Sequence, residues 1–196
     1  MNLVEIDLSN VELHTKRLLL RPFQQEDLDD FYRYAKEDGV GQPAGWIPHE
    51  NKNETQIFLD QFIAGKKAFA IVMQDRVIGS ITIEQPHHVK AESIKGKKAK
   101  TLGYSLAKDM WGQGIMTEVV AAVLGYLFDE VNLDLVIGSF IPSNERSKRV
   151  LEKNGFEYLS SSRVADQYGD FIELTDLAID RKTWDDKRTS GLYLNQ

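Results

Sequence analysis

The sequence predicts an α/β fold: a single domain with a mixed, mostly antiparallel sheet, a central pair of parallel strands, and helices that flank the sheet. Apolar periodicity gives elements in the order β-α-α-β-β-β-α-β-α-β-β. The central β-α-β-α stretch implies a parallel pair, because a helical crossover lets two strands run in the same direction. At 196 residues with 42% hydrophobic content, the chain can fill one core.

The N-terminal part begins with a strand, a helix and a loop. The apolar run 13–23 is a strand that Pro22 ends, since proline cannot donate a ladder hydrogen bond. Residues 26–36 form a helix, because their apolar residues recur at helical spacing behind an acidic first turn. Residues 39–51 hold three glycines and two prolines, which indicates a loop.

A second helix and two strands follow this loop. The helix is expected to start near Asn53, whose side chain can cap it. Its inward residues are expected to be Ile57, Phe58 and Phe62. The strands 68–73 and 76–84 are joined by a tight turn.

Residues 86–100 interrupt the strand pattern. They contain two histidines and five lysines without apolar periodicity, so we expect an exposed excursion. The neighbouring side chains of His87 and His88 do not converge on one ion, and no third ligand is suggested. A solvated pair, and no metal site, is therefore the prediction.

The second half has the strongest periodicity in the chain. In the helix 115–130, apolar residues repeat at i, i+1, i+4 and i+5 as one broad buried stripe. The remaining predicted elements are strands at 101–106 and 135–141, a helix at 144–154, and an antiparallel strand pair at 156–164 and 171–179. The polar residues from 185 onward indicate a loose end. The predicted domain is 13–180, between an N-terminal extension, 1–12, and a C-terminal tail, 181–196.

Composition excludes several classes of protein. The chain has no cysteine, which excludes disulfides, thiolate metal sites and cysteine nucleophiles. No apolar run approaches the roughly 20 residues of a membrane helix, and the acidic N-terminus is unlike a signal peptide. The net charge of −6 argues against nucleic acid as a partner. We therefore expect a cytoplasmic protein that binds neither nucleic acid nor a membrane.

The segment 111–118, WGQGIMTE, has the pattern of a phosphate-binding loop. Its two glycines allow a sharp turn and close approach of a ligand, and the first N–H groups of the following helix suit a phosphate. It lacks the Gly-Lys-Ser/Thr ending of a P-loop. It also has Thr117 where a dinucleotide fingerprint has its third glycine, so a nicotinamide-dependent enzyme is a weaker alternative.

Three phrases in order resemble the GNAT superfamily of N-acetyltransferases, and within it the Rim type, the ribosomal-protein alanine acetyltransferases. They are HTKRLLLRPFQQEDLDDFY at 14–32, LGYSLAKDMWGQGIMTEVV at 102–120 and NERSKRVLEKNGFEY at 144–158. The general loop pattern of the superfamily is Gln/Arg-x-x-Gly-x-Gly/Ala, from which the chain departs at Trp111 and Met116. The resemblance implies acetyl-CoA as the cosubstrate.

The resemblance also implies roles for individual residues in coenzyme binding. The pantetheine arm would enter between the splayed strands and pair with backbone groups near Leu106 and Lys108. Asn144 would hydrogen-bond the arm near the thioester, and Arg149 is the candidate for the 3′-phosphate, with an exposed helix face as the alternative. The residues expected at the pyrophosphate are Gly112, Gln113, Gly114, Ile115, Met116 and Thr117.

Acetyl transfer needs a neutral amine, donors for the oxyanion and a proton for the thiolate. The resemblance places Leu151 where many GNAT enzymes have a tyrosine acid, and Thr101 where the subgroup often has a glutamate. Ser147 is the candidate acid, with helix packing as the alternative. Glu84, at a strand end, is the candidate base acting through water, with a plain surface carboxylate as the alternative.

The function implied is direct transfer, in a ternary complex, to a primary amine: a protein N-terminus first, a small-molecule amine second. Trp46 is the candidate for lining the acceptor site, with a packing anchor as the alternative. The alternative function is a non-catalytic acyl-CoA-binding module or sensor, which would bind acetyl-CoA without releasing thiol. The chain is expected to act as a monomer or homodimer.

Overall fold

The computed structural model describes residues 4–165 and 171–189. The chain divides into two compact units. The N-terminal unit comprises Ile6–Ile83 and Gly103–Ile115, and the C-terminal unit comprises Met1–Glu5, Glu84–Leu102 and Met116–Gln196.

Eight strands and five helices lie within the described residues. The strands are β1 Leu13–His14, β2 Leu19–Pro22, β3 Ala68–Met73, β4 Arg76–Glu84, β5 Ala99–Leu106, β6 Leu135–Phe140, β7 Glu157–Ala165 and β8 Phe171–Asp180. The helices are α1 Leu28–Ala35, α2 Lys52–Gly65, α3 Ile115–Gly125, α4 Glu145–Lys153 and α5 Arg181–Thr189.

In the N-terminal unit, β1 to β4 pair in chain order, each antiparallel to the next. The predicted strands β3 and β4 are confirmed, and Gln74 and Asp75 of their turn have φ of 51° and 61°, as tight hairpin turns require. Helices α1 and α2 meet through Phe31 and Phe62, whose ring centroids lie 5.6 Å apart. Phe23 lies 5.1 Å from Phe62 and completes an aromatic cluster in the core.

Three details of this unit differ from the prediction. The strand expected at 13–23 is divided into β1 and β2 by a turn. Helix α2 is capped by Asn51, whose Oδ1 accepts from Glu54 N at 3.1 Å, so the prediction of Asn53 is wrong. Ile57, predicted to point inward, is 59% exposed. The buried face follows Thr55 and Leu59, and a residue two positions from Leu59 lies on the opposite side of a helix.

In the C-terminal unit, β5 and β6 form the predicted parallel pair, from Ala99 opposite Leu135 to Leu102 opposite Gly138. Strand β6 then pairs antiparallel with β8, and β8 with β7. The α/β fold with a mixed, mostly antiparallel sheet is thus confirmed. The splay of the parallel strands stays a prediction. Helix α3 has the predicted buried stripe and continues to Glu130 in wider turns.

The segment before β5 is not the exposed excursion that its lysines suggest. Val89 and Ile94 are buried. They form an apolar cluster with Ala99, Leu135 and Ile137. Two apolar residues five positions apart give no periodic signal, which explains the wrong prediction. Lys100 is fully buried in β5, which begins two residues earlier than expected.

Helix α5 stands where the sequence predicts a loose tail. Asp180 Oδ1 accepts from Thr183 N at 2.8 Å, and this hydrogen bond lowers the pKa of Asp180. Trp184 is buried and stacks on Phe128 with the ring centroids 5.7 Å apart. One aromatic anchor holds an otherwise polar helix, and a single anchor leaves no periodic pattern. The predicted tail beyond residue 189 lies outside the described residues.

Candidate active site

The loop between β5 and α3 is open at its two glycines. Gly112 and Gly114 have φ of 76° and 73°, a region that residues with a side chain rarely adopt. Apart from the adjacent residues in the chain, no described atom lies within 4 Å of a Cβ built at Gly112, and at Gly114 the one such atom is Nη2 of Arg17, at 4.0 Å. A ligand can therefore approach this backbone closely.

Arg17 brings a positive charge to this loop. Its Nη1 donates to Gln113 O at 3.0 Å. It stands on the turn between β1 and β2, which Leu18 N closes by donating to Thr15 Oγ1 at 3.0 Å. No pattern in the sequence singles out Arg17, because 96 positions separate it from Gln113. Its place in the first of the three GNAT-like phrases was the available signal.

The end of β5 is tied to the same loop. Leu106 O accepts from Trp111 Nε1 at 2.8 Å, which folds the loop back on the strand end. Lys108 lies in a 3-10 turn, where its N–H is 3.4 Å from Glu37 Oε2 and its Nζ donates to Asp38 O at 3.3 Å. Leu106 and Lys108 thus lie just before the loop, and their contact with pantetheine stays a prediction.

In the C-terminal unit, α4 begins at the residues that the sequence pattern selects. Asn144 is its N-cap, and its Oδ1 accepts from Ser147 N at 3.1 Å. Ser147 is buried, while Arg149 lies on the exposed side of the helix. The spacing of three therefore brings Asn144 and Ser147 together. The exposure of Arg149 agrees with the alternative interpretation, in which this residue lies on an exposed helix face.

Leu151 occupies the position at which the resemblance places a tyrosine acid in many GNAT enzymes. The side chain is fully buried, and a Cβ built at Gly138 would lie 2.3 Å from Leu151 Cδ2. Helix α4 therefore packs directly on β6 through this pair. Leu151 has no hydroxyl group, and the role of Ser147 as the acid stays a prediction.

The other two candidates differ in their surroundings. Glu84 is the exposed last residue of β4. Trp46 is half-buried, and its ring lies 2.3 Å from a Cβ built at Gly41 and 5.2 Å from the ring of His49. Burial lowers the pKa of His49, whose Nδ1 is 2.9 Å from Thr55 Oγ1. These contacts support the packing interpretation of Trp46, and its acceptor role stays a prediction.

The two adjacent histidines do not behave as the predicted solvated pair. His87 is exposed, but the side chain of His88 is 23% exposed and its Nε2 lies 2.8 Å from Ser139 Oγ. The prediction of a solvated side chain is therefore wrong for His88. The contact was missed because Ser139 lies 51 positions away in the sequence. Within residues 4–165 and 171–189, no group of three or more His, Asp or Glu side chains is placed to hold a metal ion. No helix in the same ranges has the length and apolar content to cross a membrane.

Comparison with known proteins places the chain in a family. Residues 17–157 match the model of a family described as the acetyltransferase (GNAT) domain. The chain is similar to the uncharacterized N-acetyltransferase p20 of Bacillus licheniformis, with 26% identity over 152 residues, 74% of this chain and 82% of that protein.

Solved structures share the fold. A GNAT-family acetyltransferase from Bacillus anthracis matches with a TM-score of 0.75 and 20% identity, over 88% of this chain and 99% of that one. The ribosomal-protein-S5-alanine acetyltransferase from Vibrio fischeri matches with a TM-score of 0.67 and 20% identity, over 89% and 99%. Because the family model covers well over half of its residues, this chain belongs to the GNAT family of N-acetyltransferases.

Proposed function

We propose that this protein transfers the acetyl group of acetyl-CoA to a primary amine, directly and within a ternary complex. The observation that carries the proposal is the open loop at Gly112 and Gly114 with Arg17 beside it, in a chain of the GNAT family. Acetyl-CoA supplies an acetyl group activated as a thioester. The chain has no cysteine, so a cysteinyl acyl-enzyme is excluded.

The residues of the loop fit the pyrophosphate of the coenzyme. The first N–H groups of a helix have no partner within the helix, and here they follow two glycines that leave the backbone open. The guanidinium of Arg17 adds a positive charge beside Gln113. In this proposal the segment 112–117 holds the pyrophosphate, and Leu106, Lys108 and Asn144 hold the pantetheine arm. Arg149 serves the 3′-phosphate.

Arg17→Ala is expected to raise the Kd for acetyl-CoA about tenfold, because it removes one exposed charge-assisted contact with the phosphates. Calorimetry measures this, and the loss should shrink as salt is added. Lys16→Ala is the matched control, since it removes the neighbouring exposed cation. Equal affinities for Arg17→Ala and the parent would contradict the role of Arg17.

Ser147 supplies the proton for the departing thiolate in this proposal. It is supported by its position at the start of α4, directly beside Asn144. Ser147→Ala should leave the Kd for acetyl-CoA unchanged and lower kcat about 100-fold, the scale of one acid–base contribution. Ser143→Ala, an exposed serine just before the cap, is the control. A kcat equal to that of the parent would remove Ser147 from the mechanism.

The acceptor we propose first is a protein N-terminus, and a small amine second. The Vibrio fischeri neighbour is named for an alanine of a ribosomal protein, and the chain shares its fold. Thiol release from acetyl-CoA is measured with a peptide that begins with alanine and with spermidine, and mass spectrometry identifies the acetylated product. Acetylation of either probe supports an enzyme. Binding of acetyl-CoA without thiol release from a wide panel of amines would favour the sensor.

A further inference from the structure

We infer that His88 is the group that takes the proton from the acceptor amine, and that Ser139 and Asp176 hold its ring for this step. The inference rests on the proposed acetyl transfer. It starts from a polar cluster in the C-terminal unit that joins the segment after β4 to the strands β6, β7 and β8. Its members are His88, Ser139, Ser160, Ser162 and Asp176.

Asp176 is the centre of this cluster. The residue is fully buried, yet it lies on a strand whose neighbours supply three hydroxyl groups. Ser139 and Ser162 donate to its Oδ1 at 2.8 and 3.2 Å, and Ser160 donates to its Oδ2 at 2.8 Å. A polar group in the interior needs hydrogen-bond partners, because burial without them costs free energy. The three hydroxyl groups supply these partners to Asp176.

The hydrogen bonds fix which nitrogen of His88 carries a proton. The hydroxyl of Ser139 has one proton and donates it to Asp176. The oxygen of Ser139 must then accept from His88 Nε2, which lies 2.8 Å away. In a neutral imidazole with a proton on Nε2, the other nitrogen, Nδ1, holds a lone pair. His88 thus presents a proton acceptor at Nδ1.

Asp176 also lies close to the His88 ring. Its Oδ1 is 3.7 Å from His88 Nε2, and its side chain is fully buried. In a catalytic triad, a buried aspartate beside a histidine holds the ring in one orientation and one tautomer. Among the described residues, the polar contacts of the His88 ring are with Ser139 and Asp176. Ser139 and Asp176 therefore act as positioning residues.

The cluster lies at the carboxyl end of β6. Ser139 follows Gly138, the last residue of β6 in the parallel register. Successive side chains of a strand point to opposite faces, so Ser139 faces away from α4, which packs on Gly138. Ligands of sheets with parallel strands bind at the carboxyl ends of these strands. The partly exposed ring of His88 is accessible to an acceptor there.

The step balances as follows for an acceptor that arrives as an ammonium ion. His88 Nδ1 takes one proton, and the nitrogen lone pair forms a bond to the acetyl carbon as the C–S bond breaks. The sulfur leaves with the electron pair of the C–S bond and takes the hydroxyl proton of Ser147. A second proton from the amine then restores the Ser147 hydroxyl. The products are the N-acetyl amine, CoA thiol and one proton, which His88 returns to water.

The surroundings of His88 suit a general base better than those of Glu84. Glu84 is an exposed carboxylate at the end of β4. His88 lies four positions further along the chain, and its ring is oriented by a hydroxyl and a buried carboxylate. The two residues are therefore rival bases that one set of variants can compare.

The first test reads the protonation of the ring without any acceptor. The chain has four histidines, so nitrogen-15 NMR of the parent and of His88→Gln assigns the His88 signals. Neutral His88 is expected to carry its proton on Nε2 in the parent, and Ser139→Ala is expected to release a mixture of tautomers. A neutral ring with its proton on Nδ1 would overturn the inference.

The second test uses thiol release with the alanine peptide. His88→Gln keeps an N–H that can reach Ser139 but cannot accept a proton, so kcat should fall about 100-fold or more with the Kd for acetyl-CoA unchanged. His87→Gln, which changes the exposed neighbour, should match the parent. Added imidazole should restore part of the activity of His88→Ala, which a purely structural role would not allow.

Three outcomes would count against His88 and are distinguishable from one another. Parent-like kcat in His88→Gln overturns the inference and leaves the proposed function standing. The second outcome is a change in the pH profile. If the fall of kcat/KM toward acidic pH disappears in Glu84→Gln and persists in His88→Gln, Glu84 is the base instead. A parent protein that acetylates none of the amines contradicts the proposed function itself, and the inference with it.

Discussion

Gly114→Asp is expected to weaken acetyl-CoA binding at least about 100-fold, a loss of about 2.7 kcal/mol. The change places a carboxylate on the open face of the loop, where the pyrophosphate is proposed to bind, and like charges in contact repel strongly. It also forces a side chain onto a backbone with φ of 73°. Calorimetry with acetyl-CoA measures the effect.

Gly96→Asp is the matched control for this variant. Gly96 has φ of 76°, and apart from the adjacent residues in the chain no described atom lies within 4 Å of a Cβ built there. It therefore adds the same strain and the same charge outside the loop. Acetyl-CoA affinity that survives in Gly96→Asp and disappears in Gly114→Asp assigns the effect to the loop. Undiminished affinity in Gly114→Asp would mean that the phosphates bind elsewhere.

Gly138→Ala is expected to lower the free energy of unfolding by about 2 kcal/mol, in the range of overpacked cores. A Cβ at this position would lie 2.3 Å from Leu151 Cδ2 and 2.8 Å from Cδ1, so α4 must move away from β6. Because Asn144 caps α4 and α4 carries Ser147, kcat should fall as well. Urea denaturation and steady-state kinetics measure the two effects.

A double variant separates this clash from other causes of instability. Leu151→Ala alone removes a buried side chain and should cost about 2 to 5 kcal/mol. In Gly138→Ala with Leu151→Ala, the new methyl group occupies the space vacated, so the combined cost should be at least about 1 kcal/mol less than the sum. Gly65→Ala, at an open position that ends α2, should not lower the free energy of unfolding. Strict additivity would contradict the contact between α4 and β6.

The elements that the sequence predicts well carry their signal within a short window. Strands β3 and β4 are apolar runs on either side of a tight turn, and α3 with its continuation to Glu130 repeats its apolar residues at helical spacing. Helix α5 and the burial of Val89 and Ile94 depend on one or two apolar residues each. These residues are buried because of the elements against which they pack, and no local sequence pattern encodes such contacts.

The same distinction applies to the site. The loop 111–118 and the start of α4 are continuous phrases, so the sequence locates them. Arg17 reaches Gln113 across 96 positions, and His88 reaches Ser139 across 51. The cluster at Asp176 needs β8 to lie between β6 and β7, an order that differs from the order along the chain. These residues are brought together by the tertiary fold, so no local sequence pattern encodes their contacts.

Calorimetric titration with acetyl-CoA, with NAD and ATP as controls, tests the central claim most directly. Binding of one acetyl-CoA per chain, with no heat of binding from NAD or ATP, is the result expected of the open loop at Gly112 and Gly114. Folded protein that ignores acetyl-CoA, or that binds NAD in its place, would contradict the proposed coenzyme and the acetyl transfer that depends on it.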